Sequence, residues 1–257
     1  MTVSNGFGNY AAGTAKLEKR YSKGLQFLTA YTWSHALANA GTPLSGSTNL
    51  GFPDQTNWAS GYSSASWDIR HNFTTGFSYD LPFGKGRAMG GNMNRVADLI
   101  VGNWHTNGNL NLRTGVAYTL TGTCQGVWGR CMPDIVPGAV ANQAPAGGRT
   151  PSQWFDISAY KLAAPLTGGN LGLQAMTGPP TKSLGFSVFK DFNVTERWKL
   201  QFRSEAFNLF NTPAFSIPVS QNVTDSKSLG GNGNFGKITS TLSGTERNLQ
   251  FALRLSF

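Results

Sequence analysis

The chain has 257 residues, of which only 13% are charged and 12% aromatic, and it contains 32 glycines. Charged residues usually make up about a quarter of a globular domain, so this composition disfavours a helical protein, and no segment approaches the roughly 20 consecutive apolar residues of a membrane-spanning helix. The net charge of +9 comes from basic residues scattered singly, which argues against nucleic acid as a partner.

Two-residue alternation of apolar and polar side chains predicts β-strands, because successive side chains of a strand point to opposite faces. The alternating segments in chain order are 11–21, 25–38, 66–80, 102–121, 183–193, 198–211 and 246–257. Alternation is strongest in 66–80, where the parity that runs from Trp67 to Tyr79 is mainly apolar and the other parity is polar. We therefore predict an all-β fold, an antiparallel up-and-down meander of about seven long strands.

The predicted strands have 11 to 20 residues, whereas strands of ordinary sheets average about 5–6. At about 3.3 Å per residue and a tilt near 45°, a strand of about 12 residues rises roughly 28 Å, close to the hydrocarbon thickness of a bilayer. The lengths thus indicate a transmembrane β-barrel wall. Seven strands would leave that wall partial and unclosed, since single-chain bacterial barrels have even strand numbers.

The connections between the predicted strands differ by side. In a meander, one side carries 22–24, 81–101 and 194–197, which have 3, 21 and 4 residues, and the other carries 39–65, 122–182 and 212–245, which have 27, 61 and 34. Short turns on the periplasmic side and long loops outside are typical of outer-membrane barrels. We expect the longest loop, 122–182, to make ligand or surface contacts.

Large aromatic residues concentrate at both ends of the predicted strands, where a membrane protein places its interfacial belts. Trp33, Trp67 and Tyr118 map to the long-loop end, and Tyr21, Tyr79, Trp104 and Trp198 map to the short-turn end.

Two cysteines, Cys124 and Cys131, lie in the longest loop with six residues between them. Two thiols are too few for a four-ligand metal site. We expect a small loop disulfide formed in an oxidising compartment, with two free thiols as the alternative.

Four separated segments carry a family resemblance. They are KLEKRYSKGLQFLTAYTWSHAL (16–37), WDIRHNFTTGFSYDLPFGKG (67–86), WKLQFRSEAFNLFNTPAF (198–215) and the ending FGKITST…RNLQFALRLSF (235–257). In order and spacing they resemble the C-terminal barrel portion of TonB-dependent outer-membrane receptors of the Oar-like, carboxypeptidase-regulatory-like type. The resemblance covers nearly all strands and leaves the loops unmatched.

In that family a barrel of about 22 strands is plugged by an N-terminal domain and energised through a TonB-box. Neither is recognisable here, and no signal peptide is visible at the N-terminus. The resemblance implies that residues 1–257 are a C-terminal barrel segment in the bacterial cell outer membrane. Its partners would be outer-membrane lipid, the remaining barrel strands and the plug, with the TonB system acting only through the missing N-terminal parts.

The last strand has a further interpretation. Leu249, Phe251, Leu253, Leu255 and Phe257 share one face, and the chain ends on the phenylalanine. This pattern resembles the C-terminal insertion signal that the barrel-assembly machinery recognises. Strand addition would explain the recognition, since backbone hydrogen bonds supply affinity and alternate side-chain pockets supply selectivity.

No catalytic, metal or cofactor site is predicted, and we expect a protein that is not an enzyme. His35, His71 and His105 fall in different strands without carboxylates or cysteines at ligand spacing, which predicts isolated histidines. Polar residues expected to face the barrel lumen, where they could line a substrate path, are Asp68, Arg70, Arg113, Arg203 and Glu205.

Two other functions remain open. A secreted, soluble all-β carbohydrate-binding module would also show alternating strands and tryptophans. A small porin built by oligomerisation of this chain would also show long strands. Strand length, loop asymmetry and the terminal phenylalanine favour the receptor wall over the soluble module.

Overall fold

A computed structural model describes residues 6–39, 57–123, 125–126, 131–195 and 197–257. The strands are β1 (Gly8–Ser22), β2 (Leu25–Ala38), β3 (Ser63–Ser64), β4 (His71–Asp80), β5 (Trp104–Arg113), β6 (Ala117–Tyr118), β7 (Asp134–Ile135), β8 (Tyr160–Lys161), β9 (Met176–Thr177), β10 (Thr181–Asn193), β11 (Lys199–Phe207) and β12 (Asn248–Ser256). One α-helix, α1 (Arg95–Val101), and short 3-10 helices at Trp58–Gly61, Ile157–Ala159, Val223–Asp225 and Lys227–Leu229 complete these elements. None of the helices in the described ranges has the length and apolar character needed to cross a membrane.

The long strands form one antiparallel sheet in chain order, β1-β2-β4-β5-β10-β11-β12, with β3 paired to the end of β2. The predicted all-β meander of about seven long strands is confirmed. The sheet is open, because within the described ranges its edge strands β1 and β12 pair only with β2 and β11. Nine residues of β12 and thirteen of β1 take part in those pairings.

Three of the predicted strands are too long. The segment 66–80 becomes a strand only at His71, because Asp68 turns the chain: its backbone N–H donates to the Ala65 carbonyl at 2.9 Å, and its carboxylate accepts from the Ala36 N–H at 2.7 Å. The segment 198–211 ends at Phe207 because Asn208 adopts a left-handed conformation (φ 51°) and its amide donates to the Thr212 carbonyl at 2.9 Å.

The segment 102–121 forms a sheet strand only up to Arg113. Beyond that point the chain leaves the sheet, and β6 pairs with β9 instead. Gly115 sits at the crossing, where an added Cβ would lie 1.8 Å from the Gly178 carbonyl oxygen. The close approach of two backbones explains the glycine and the end of the strand.

The hydrophobic core lies in the long loops rather than on the sheet. Its buried members are Tyr118, Leu120, Met132, Trp154, Phe155, Ala159, Tyr160, Leu171, Leu173, Met176, Val223, Phe235 and Ile238. Every position of β1 and of β12, in contrast, is exposed. We call the described residues of 117–179 and 212–245 the loop module.

Backbone hydrogen bonds join the two halves of the loop module. Thr121 donates to Gln221 at 2.8 Å and accepts from Val223 at 2.9 Å. Further along, Trp154 donates to the Gly236 carbonyl at 2.8 Å. The loops predicted separately at 122–182 and 212–245 therefore form one packed unit at one end of the sheet.

Candidate functional site

The two faces of the sheet differ in chemistry. Residues directly opposite each other in an antiparallel pair point to the same face, so the pairs Phe27↔Phe77 and Leu110↔Leu184 lie on one face, which we call the apolar face. The pair Phe202↔Leu253 continues it. Pairs on the opposite, polar face include Gln26↔Ser78, Thr74↔Asn111, Ser187↔Asn107 and Glu205↔Gln250.

Two aromatic residues depart from the predicted belts. Tyr118 is only 4% exposed and belongs to the core of the loop module. Tyr21 is turned to the polar face by a register shift between Lys19 and Ser22, as expected of a β-bulge, and its hydroxyl donates to Asp80 at 2.6 Å. Trp33 and Trp104, by contrast, occupy positions on the apolar face towards opposite ends of the sheet.

A chain of polar contacts crosses the polar face near the short-turn end. His105 Nδ1 lies 2.7 Å from Asp80 and its Nε2 lies 3.2 Å from Asp191. Asp191 accepts from the Gln201 amide at 2.7 Å, and the Gln201 oxygen accepts from Arg203 Nε at 2.6 Å. Together with Tyr21, these contacts link strands β1, β4, β5, β10 and β11.

Sequence reasoning missed most of this chain of contacts. The expectation of isolated histidines is wrong for His35 and His105, because the pairing of β4 with β5 brings Asp80 to His105 and the turn before β4 brings Asp68 to His35. Asp80 and Asp191 could have been predicted as contact residues, because both fall on the polar side of the two-residue alternation and lie next to a predicted turn. Within the described ranges, no group of three or more His, Cys, Asp or Glu residues could hold a metal ion.

The five residues predicted to face the lumen do not meet at one place. Asp68 is 7% exposed and lies 3.0 Å from His35 Nδ1 and 3.7 Å from the Arg70 guanidinium at the long-loop end. Arg113 lies at that end on the polar face, opposite Asn72 and Thr181.

The other two predicted lumen residues lie on β11. Arg203 lies on the polar face in the contact chain, with its guanidinium carbon 5.4 Å from the ring centre of Phe189. Glu205 is opposite Ser187 and Gln250 on the same face. The structure therefore separates Asp68 and Arg70 from Arg203 by most of the strand length. A substrate path lined by these residues stays a prediction.

The residues of the predicted insertion signal lie on the apolar face of β12. Leu249, Leu253 and Leu255 are opposite Ala206, Phe202 and Leu200. Phe251 stacks with Phe202 at a ring distance of 6.4 Å. The terminal Phe257 is 91% exposed and packs against Trp198 at 5.2 Å.

The loop module is held by polar as well as apolar contacts. Tyr160 OH accepts from the Asn142 N–H at 2.8 Å and donates to Met176 Sδ at 3.2 Å, whereas the buried hydroxyl of Tyr118 has no hydrogen-bond partner in the described structure. Burial raises the pKa of both tyrosines, that of Tyr118 the more strongly.

Cys131 is buried and disulfide-bonded. The second cysteine, Cys124, lies outside the described residues, so the pairing of the two stays a prediction.

Comparison with known families finds a match over residues 1–250 to the family described as "Outer membrane beta barrel domain". The chain belongs to this family. Neither the curated proteins nor the solved structures compared with it gave a match.

Membership in the outer membrane beta barrel domain family indicates which environment each face of the sheet contacts. The apolar face contacts the hydrocarbon of the outer membrane, and the polar face points to the barrel interior, as in barrels of this kind. That the loop module stands on the outer side, and α1 with the short turns on the periplasmic side, stays a prediction from the loop lengths. The tyrosine, histidine and carboxylate contacts near Asp80 lie on the polar face at the short-turn end.

Proposed function

We propose that this chain forms the C-terminal part of the barrel wall of a TonB-dependent receptor in the bacterial outer membrane. The assembled receptor would take up or bind an external ligand, and this chain would contribute wall and loops without catalytic chemistry. The open edges of β1 and β12 carry the proposal, because unpaired backbone groups are costly in lipid. Further strands of the receptor barrel would pair with both edges, and a plug would contact the polar face.

Experiments on closure separate the proposal from its main competitor. If a longer receptor supplies the missing strands, the 257-residue chain alone should migrate identically in gels with and without heating and should conduct no ions in planar bilayers. Heat-modifiable migration together with conductance would instead show a small porin closed by copies of this chain. The gene sequence upstream of the Met1 codon supplies a second test, since an in-frame plug and TonB-box are expected there.

A secreted carbohydrate-binding module is disfavoured by the apolar face, which such a soluble protein would have to leave in water. Carbonate-washed membranes provide the test. We expect the chain to stay in the outer-membrane pellet, and its recovery in the soluble fraction would contradict the proposal.

We also propose that β12 is the segment that the barrel-assembly machinery binds. Its outer edge has no partner strand within the described ranges, and its apolar residues alternate along nine positions paired with β11, which is the arrangement that strand addition needs. Leu253→Asp should lower the amount of protein in the outer membrane, because it disturbs the apolar series. The matched control is Ala252→Asp, one residue away on the polar face, which should change it little. Equal loss in both variants would show that the face of β12 is not recognised.

A further inference from the structure

Helix α1, in the connection between β4 and β5, turns its apolar side away from the protein. Val96, Leu99 and Ile100 follow the i, i+3, i+4 spacing that puts side chains on one side of a helix, and they are 68%, 48% and 64% exposed. No residue of the helix is buried. An amphipathic helix of a water-soluble domain has the opposite orientation, with its apolar side on the core.

A cap and one acidic side chain hold the helix. The Asn94 side chain caps the helix by accepting from the Ala97 N–H at 2.8 Å. Asp98 accepts from the Lys85 N–H at 2.7 Å. The Asp98 contact fixes the rotation of α1 and leaves the apolar residues facing outward.

Two residues of the apolar face hold the end of the helix at the lipid-facing side of the sheet. Trp104 Nε1 donates to the Ile100 carbonyl at 2.9 Å. Lys190, paired with Trp104 on the apolar face, is 2% exposed, and its ammonium donates to the carbonyl of Gly102, the C-cap residue of α1. The apolar side of α1 is therefore continuous with the surface that contacts the membrane.

The charges around the helix suit a phospholipid surface. Exposed cations at the short-turn end include Lys85, Arg95 and Arg197, whereas Lys199 shares the polar face with Arg203. The acidic residue of the helix, Asp98, is engaged by a backbone N–H. Basic side chains beside an apolar helix are attracted to anionic lipid headgroups.

We propose that α1 is an interfacial membrane anchor that lies in the periplasmic leaflet of the outer membrane. Val96, Leu99 and Ile100 enter the acyl-chain boundary, and Lys85, Arg95 and Arg197 contact lipid phosphates. The anchor fixes the depth of β4 and β5 in the bilayer. The inference rests on the lipid-facing surface of the sheet and holds whether or not the protein is a TonB-dependent receptor.

Spin labels on variants that each carry one added cysteine test the proposal in isolated outer membranes, with the full chain in its native assembly. The test positions are Val96→Cys and Ile100→Cys. Arg95→Cys on the same helix gives the value for the headgroup level, and Leu110→Cys at the centre of the apolar face gives the value for acyl chains. The unsubstituted protein serves as the labelling blank. The quantity measured is the ratio of collision rates with oxygen, which enters lipid, and with a water-soluble nickel chelate.

A ratio at Val96 and Ile100 several-fold above that at Arg95, and close to that at Leu110, is the expected result. Rapid collision with the nickel chelate at both test positions would overturn the proposal by placing the helix in water. Slow collision with both reagents would overturn it as well, because the helix would then be covered by another protein. Because Leu110 reports the insertion of the sheet independently, failure of the anchor is distinguishable from failure of the receptor proposal.

Discussion

Phe155→Ala tests whether the two long loops depend on one shared core. Phe155 is 0% exposed, and its ring packs edge-to-face against Tyr160 at 5.4 Å and against Phe235 at 5.0 Å. The two neighbours belong to different loops. Truncation of a buried phenylalanine to alanine usually costs about 3–5 kcal/mol, because apolar contacts are lost and a cavity remains.

That cost should appear as faster opening of the loop module. About 1.4 kcal/mol corresponds to a tenfold change in an equilibrium constant, so amide hydrogen exchange limited by opening of the module should accelerate by roughly two to three and a half powers of ten. Suitable reporters are the N–H groups of Trp154 and Ile238, which donate across the module at 2.8 and 2.7 Å. Mass spectrometry of peptides that contain them would give the rates.

The matched control for this experiment is Phe210→Ala, the same substitution at a side chain that is 73% exposed. It should leave exchange in the module nearly unchanged. Peptides from the paired strands β5 and β10 should keep their rates in both variants, since Phe155 is outside the sheet. Unchanged exchange at Trp154 and Ile238 after Phe155→Ala would refute the shared core.

Three further predictions concern the same module. Tyr160→Phe should destabilise the module by about 1–3 kcal/mol because both hydrogen bonds of the hydroxyl are lost, whereas Tyr118→Phe should be neutral or stabilising because it removes a buried hydroxyl without a partner in the described structure. Equal amide exchange rates in the two variants would contradict this difference. Burial raises the pKa of Tyr118 in the folded state, so the contribution of this tyrosine to the stability of the module is fully present below the unfolded pKa of about 10 and is lost as pH rises above it. Tryptophan fluorescence between pH 8 and pH about 11.5 should report opening of the module, and Tyr118→Phe should weaken that pH dependence. Gly115→Ala should lower the melting temperature, because its Cβ would meet the Gly178 carbonyl oxygen at 1.8 Å where the chain passes from the sheet to the module, while Gly147→Ala, with nothing within 4 Å, should leave the melting temperature unchanged. Equal melting temperatures would show that the crossing can relax.

Prediction from sequence worked where one periodic signal extended over a whole strand. The two-residue alternation gave the number, order and approximate bounds of the long strands, since the face that each side chain occupies depends only on local backbone geometry. It failed at strand ends, as at Asp68 and Asn208, where a side chain bonds a backbone group elsewhere in the chain. Ala36 is 32 residues from Asp68 and Thr245 is 37 residues from Asn208, so no local pattern predicts these two contacts, although Asn208 also donates to the nearby Thr212 carbonyl.

The candidate site shows the same division. The residues of the insertion signal and their common face could be predicted, because they lie in one strand. The chain of contacts from Tyr21 to Arg203 could not, because it joins five strands and depends on a bulge that turns Tyr21 over. Strand register, rather than residue type, decides which carboxylate meets His105.

The sequence by itself determined that this chain is a meander of long strands with an apolar and a polar face, with short turns on one side and long loops on the other. Only the tertiary structure decided that the long loops share a hydrophobic core, that Tyr118 belongs to that core, and that α1 exposes its apolar side beside the lipid-facing surface. The physical reason is the range of the interactions. Alternation acts between neighbours in the chain, whereas core packing and the contact of Lys190 with Gly102 join residues that are distant in sequence.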